Sequence, residues 1–111
     1  MAASKFLKTP NLGVVLQITE IVPSGIDGRV WVVHDVERNR GFRVMLPGGA
    51  LNDTPPGRPR LGRKFREDEI EGALGLAIER ALTSPPEKVP GTLYEVEVES
   101  RDLYDLVALV K

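Results

Sequence analysis

The chain contains no cysteine, and this removes disulfides, thiolate metal ligands and a cysteine nucleophile together. Zinc ribbons and thiol enzymes are excluded with them. Aromatic residues are few, with one tryptophan, two tyrosines and three phenylalanines, so stacking surfaces for bases are scarce. No stretch approaches the roughly 20 apolar residues that a bilayer span needs. The start, Met1-Ala2-Ala3-Ser4-Lys5-Phe6, lacks the apolar run of a signal peptide. A cytoplasmic protein with no membrane partner is expected. Glutamine occurs once, at Gln17, asparagine is rare and proline occurs nine times; with dense charge of both signs, this composition is thermophile-like.

What is present is ordinary for one folded domain. The 111 residues are 41% hydrophobic and 28% charged, enough to bury a single core and too few for a second. The net charge of −1 conceals a segregation. Met1 to Arg66 holds eleven Lys or Arg against five acids, whereas Glu67 to Lys111 holds four against eleven. Such asymmetry points to a charged partner, or to two halves that attract each other within a monomer or between subunits.

Residues 1–11 read as a flexible N-terminal arm and 12–111 as a single α+β domain. Val14, Leu16 and Ile18 alternate with Val15, Gln17 and Thr19, the period of a strand with one buried face. A second strand from Arg29 sets Val30, Val32 and Val36 on one face and Trp31 and Val33 on the other. Phe42 to Leu46 gives a third. Residues 47–66, rich in Gly and Pro, form a long loop, a class that is usually functional or mobile. Ile70, Leu74, Ala77, Ile78, Ala81 and Leu82 then repeat at helical spacing. Asp68 is the expected N-cap with Glu71 three residues on, and Ser84-Pro85-Pro86 the stop. Gly72 and Gly75 each cost a helix about 1 kcal/mol relative to alanine, which points to close backbone approach there. After Pro90-Gly91, Tyr94, Val96 and Val98 alternate with Glu95, Glu97 and Glu99, a half-buried strand. The apolar run from Leu103 to Val110 reads as a strand covered on both sides, with a short terminal helix as the alternative.

The order β-β-β-α-β-β with one main helix describes a small antiparallel sheet. It also resembles the OB-fold as an order of elements, which implies an OB-like barrel of a kind whose members often bind oligonucleotides or oligosaccharides.

Chemistry is concentrated in Pro55-Pro56-Gly57-Arg58-Pro59-Arg60-Leu61-Gly62-Arg63-Lys64-Phe65-Arg66, which carries five cations and no acid. Guanidinium groups match phosphate geometry, and an uncompensated cluster releases counterions from a nucleic-acid backbone. Gly57-Arg58-Pro59 resembles the core of an AT-hook, which implies Arg58 and Arg60 as groove-facing and flanking cations; Pro56 stands where that family has an arginine. The competing reading is a solvated loop that pairs with the chain's own acidic half. Trp31, Phe42 and Arg43 would extend the site as a stacking groove with Phe65 if they shared an exposed face, and would otherwise be core.

Other constellations are weaker. His34 and Asp35 are strand neighbours and point to opposite faces, which makes them a poor acid/base pair. Glu95, Glu97 and Glu99, even with Asp102 and Asp105, are spaced too widely for one small ion. Pro47-Gly48-Gly49-Ala50 lacks the lysine and spacing of a phosphate-binding loop. The sequence therefore leads to a non-enzymatic protein without cofactor, metal or small-molecule substrate. Its expected partner is DNA or RNA, held through Arg58, Arg60, Arg63, Lys64 and Arg66, with Arg43, Phe65, Phe42 and Trp31 as groove residues. The alternative is an assembly module that forms a homo-oligomer through complementary surfaces.

Overall fold

A computed structural model describes residues 5–83 and 94–109. Strands β1 (Lys5–Lys8), β2 (Val15–Pro23), β3 (Arg29–Asp35) and β4 (Arg40–Leu46) are followed by a 3₁₀ turn (Ala50–Asn52), helix α1 (Glu67–Thr83), strand β5 (Tyr94–Glu97) and helix α2 (Ser100–Leu109). The sheet runs in the order β1-β2-β3-β4-β5. Its first four strands form an antiparallel meander, and β5 returns parallel to β4. The fold is α+β, but the parallel β5 makes the sheet mixed rather than antiparallel. The order is β-β-β-β-α-β-α rather than β-β-β-α-β-β. Because β1 and β5 remain at opposite edges, the sheet is open and is not an OB-like barrel. None of the helices among the described residues is long and apolar enough to cross a membrane.

The sheet alternation arises because only one face is covered. Leu16, Ile18, Trp31, Val33, Phe42, Val44 and Leu46 form a single core with Ile70, Ala73, Leu74, Ala77 and Ile78 of α1 and Leu103 of α2. The intervening residues, among them Gln17, Val30, Val32, His34, Arg43 and Met45, are half-buried or exposed on the other face. At the β3–β4 turn, buried Asp35 accepts from the Glu37 and Arg38 amides (3.2 Å each) and pairs with Arg40 at 3.1 Å. A short acceptor bonded to the following amides is what sets this reversal.

Three further elements differ from the sequence expectation. Part of the N-terminal arm is a strand: Lys5 to Lys8 pairs with Val15 to Ile18, covering what would otherwise be an unpaired edge of β2. Pro10 and Asn11 lie in the turn that makes this possible. There Thr9 Oγ1 accepts from the Val14 amide at 2.9 Å, and Glu79 accepts from the Asn11 and Leu12 amides. Burial raises the Glu79 pKa, but these amides, with the side chains of Thr9 and Asn11, hold it below its usual value.

The second difference is α2, where a strand was expected. Leu103, Leu106 and Val107 are buried and Ala108 is exposed, which is helical spacing rather than a two-sided strand. The helix is also started locally, since Asp102 Oδ2 accepts from the Glu99 amide at 2.9 Å, the back-reaching half of a capping box. The third concerns the start of α1. Glu69, not Glu71, plays the reciprocal part, accepting from the Arg66 amide at 2.9 Å, so the helix begins at Glu67 and Asp68 lies inside it. The expected stop at Ser84-Pro85-Pro86, the Pro90-Gly91 turn and Val110 lie outside the described residues.

Both helical glycines sit at close contacts. A Cβ on Gly72 would stand 2.5 Å from Leu106 Cδ2, and one on Gly75 would stand 3.0 Å from Pro10 Cδ. The first admits α2 against α1, and the second admits the β1–β2 turn. Gly72→Ala is therefore expected to destabilise the protein by about 1–3 kcal/mol through overpacking, despite alanine's better helix propensity. Combined with Leu106→Ala it should cost less than the sum of the single changes, a coupling that urea denaturation of the four proteins would measure. Strict additivity would refute the contact.

Candidate nucleic-acid interface

The basic segment is shaped by its own turn chemistry before any cation is placed. Pro55 is buried, the Arg58 amide donates to the Pro55 carbonyl at 3.2 Å, and Gly57 has φ +79°. A proline followed by a positive-φ glycine is the turn that such a reversal requires. Leu51 before this turn and Phe65 after it pack against the core. Phe65 meets Tyr104 of α2 edge-on, with ring centroids 5.7 Å apart. The loop is thereby attached to the helical side of the sheet at both ends.

The five cations fall into three groups. Arg63 is committed: its two terminal nitrogens donate to the two oxygens of Glu69, each at 2.9 Å. Glu69 is only 2% exposed and also caps α1. The Arg63 guanidinium, with help from the Arg66 amide and against the effect of burial, holds its carboxyl down to about 2. Arg58 reaches Asp105 on α2 and Arg66 reaches Asp68 at 3.4 Å, but all four of these side chains remain substantially exposed. Exposed pairs are worth about 0–1 kcal/mol, so an incoming phosphate can displace either carboxylate. Arg60 and Lys64 are exposed and have no side-chain hydrogen bond or ion pair among the described residues.

The other candidate groove residues are not gathered with these. Trp31 and Phe42 are each 1% exposed. They face the core because their strand parity places them with Val33 and Val44, so neither ring is open to a base. Phe42 stacks on Tyr94 at 5.5 Å, and the Arg29 guanidinium lies 5.7 Å from the Trp31 ring. Arg43 emerges on the uncovered sheet face opposite Glu95, 3.5 Å away, whereas the loop belongs to the helical side. A stacking groove made by Trp31, Phe42 and Arg43 is therefore replaced by a smaller feature. Leu51, Asn52, Thr54, Arg60, Phe65 and Tyr104 line a cleft of about 350 Å³ beneath the basic loop. Asn52, Thr54 and Tyr104 escaped sequence reasoning because only the packing of α2 against the loop brings them together.

The charge segregation along the chain is largely spent within the molecule. Lys5 pairs with Glu71, Arg29 with Glu67, Arg43 with Glu95, Arg58 with Asp105, Arg63 with Glu69 and Arg66 with Asp68. In each pair a cation from the basic part meets an acid from the acidic part. Among the described residues, no group of three or more acids or histidines is placed to hold a metal ion.

Replacing Glu69 by glutamine should lower stability at neutral pH by about 1–2 kcal/mol, the discounted worth of its depressed pKa. Because the folded pKa lies below the unfolded one, that contribution is complete above about pH 4.5 and fades as pH falls towards 2. Thermal unfolding of both proteins between neutral pH and pH 2 should therefore show two curves that converge in acid. A constant separation would contradict the assignment. Comparison with known protein families, with curated proteins and with solved structures finds no match for this chain.

Proposed function

We propose that the protein binds nucleic acid by its phosphates, through Arg60 and Lys64 with Arg58 and Arg66 recruited on contact. The observation that carries this reading is the lack of any ion-pair partner for Arg60 and Lys64 among the described residues, in a chain whose other loop cations are paired. Two uncompensated cations, flanked in sequence by two weakly held ones, give the segment from Pro55 to Arg66 positive charge that a polyanion can use. Condensed counterions leave when such a segment meets a polyphosphate, and this favours association at low salt. Arg63 has no part in the binding, since withdrawing it would leave the Glu69 charge buried and unpaired.

Four phosphate contacts correspond to a slope of about −3 in log affinity against log salt for a single strand. Titration of a labelled oligonucleotide at several salt concentrations should give a slope of that size. The double substitution Arg60→Ala/Lys64→Ala should roughly halve it, as each phosphate contact contributes about equally. Asp105→Asn, which releases Arg58, should strengthen binding. Absence of binding at low salt would end the reading.

A second reading, self-association into a homo-oligomer, is favoured by the uncovered sheet face. Val22, Val30 and Met45 are neighbours across β2, β3 and β4, and exposed Phe6 stands on the same face beside Gln17. Apolar area left open on one side of a sheet gains by burial against a second copy. Light scattering over a range of concentrations tests this: a mass that rises above the monomer and falls back on Val30→Asp supports it, and a constant monomer mass excludes it.

A further inference from the structure

We infer that the cleft beneath the basic loop is a nucleotide site, which takes a flat base against its apolar wall and a phosphate on Arg60. The inference rests on the phosphate-binding reading of the loop and names the group that enters. Its volume, about 350 Å³, lies at the lower end of the roughly 300–1,000 Å³ typical of ligand sites. That is suited to one mononucleotide unit rather than to an extended strand.

The lining carries the chemistry such a unit needs. Leu51, Leu61 and Phe65 supply apolar surface, and Phe65 is held in place by its edge contact with Tyr104. The hydroxyls of Thr54 and Tyr104 are 3.4 Å apart, long for a bond between hydroxyls, so both retain most of their capacity for a ligand. The Asn52 side chain is exposed and has no partner among the described residues. An amide places a donor and an acceptor side by side, the complement of the adenine edge.

Charge distinguishes this cleft from three others among the described residues. Its lining contains no carboxylate. Three other clefts each include acids: Glu79, Asp102 and Asp105 in the first, Glu37 in the second, and Glu95 with Glu97 in the third. The first and third of these hold more acids than cations, and in the second Arg38 and Arg40 are both paired with buried Asp35, whereas the cleft beneath the loop offers a cation and no carboxylate. Arg63 also lines the cleft, but Glu69 neutralises it from below, which leaves Arg60 as the uncompensated cation. One guanidinium in water holds bare phosphate weakly. Added contact between a base and an aromatic ring, worth about tenfold or more in affinity, is what would make the site selective for a nucleotide.

Adenosine 5′-monophosphate, adenosine and inorganic phosphate, titrated separately into the ¹⁵N-labelled full chain, provide the test by amide chemical shifts. The nucleotide is expected to move the amides of Asn52, Thr54, Gly62 and Phe65 saturably, at a concentration about tenfold below that at which phosphate does. Arg60→Ala, a change at an exposed side chain, should bring the nucleotide's affinity down to that of adenosine. Tyr104→Phe keeps the ring and the packing and should weaken binding severalfold. The inference is overturned if these amides do not respond, or if nucleotide and phosphate act alike. Competition between the mononucleotide and a 5′-phosphorylated oligonucleotide for the same amides would identify the strand end as the source of the ligand; independence would identify the free nucleotide. An oligonucleotide that binds with salt dependence but leaves the cleft amides unmoved preserves the phosphate reading and refutes this one. Saturable nucleotide binding without oligonucleotide binding does the reverse.

Discussion

The buried carboxylate of Glu69 is the constraint on which the rest of the basic loop depends. It accepts both terminal nitrogens of Arg63 and the amide of Arg66, so it starts α1 and fixes the end of the preceding loop with the same two oxygens. A charge in that position is tolerated only while it is fully hydrogen-bonded. The path of residues 63–66 is therefore set by the requirements of a helix terminus. Phe65, carried between the two tethered residues, is turned inward against the core and Tyr104. The side chains of Arg60 and Lys64, outside that network, are left to the solvent.

This arrangement separates structural cations from available ones by magnitude. Arg63 serves a buried partner, and its loss leaves an uncompensated charge. Arg58 and Arg66 serve exposed partners, whose attraction is of the same size as the thermal and screening effects that oppose it. A local density of positive charge in a sequence thus overstates the charge on offer to a partner. Here the acids of α1, β5 and α2 fold back over much of it.

The parts of the fold that could be read in advance are those determined by a single local period. Leu16 and Ile18 separate from Gln17 and Thr19, and Trp31 and Val33 from Val30 and Val32, by alternation because one side of the sheet is covered. Ile70, Leu74, Ala77 and Ile78 were legible by helical spacing. β1 was not, because Lys5 to Lys8 has no apolar alternation of its own and exists through pairing with β2. α2 was not, because Leu103 to Val107 fits two periods until the packing against Gly72 chooses one. At the site, the cations were visible as a run, but the pairing was not: Asp68 and Glu69 follow the run closely, whereas the Asp105 partner of Arg58 comes from α2. The core positions of Trp31 and Phe42 and the outward position of Arg43 follow from strand parity once the covered face is known.

The parallel pairing of β4 with β5 bears on the order in which the molecule assembles. The meander from β1 to β4 joins neighbours through short turns, so little chain entropy is spent on each closure. β5 can take its place only after the basic loop and the whole of α1 have been laid down between it and its neighbour. Its pairing is the most non-local in the sheet, a class of contact that forms slowly. α2 follows it in the chain, and Tyr104 on that helix completes the cleft. The cleft therefore depends on the most non-local contacts of the fold as well as on the basic loop itself.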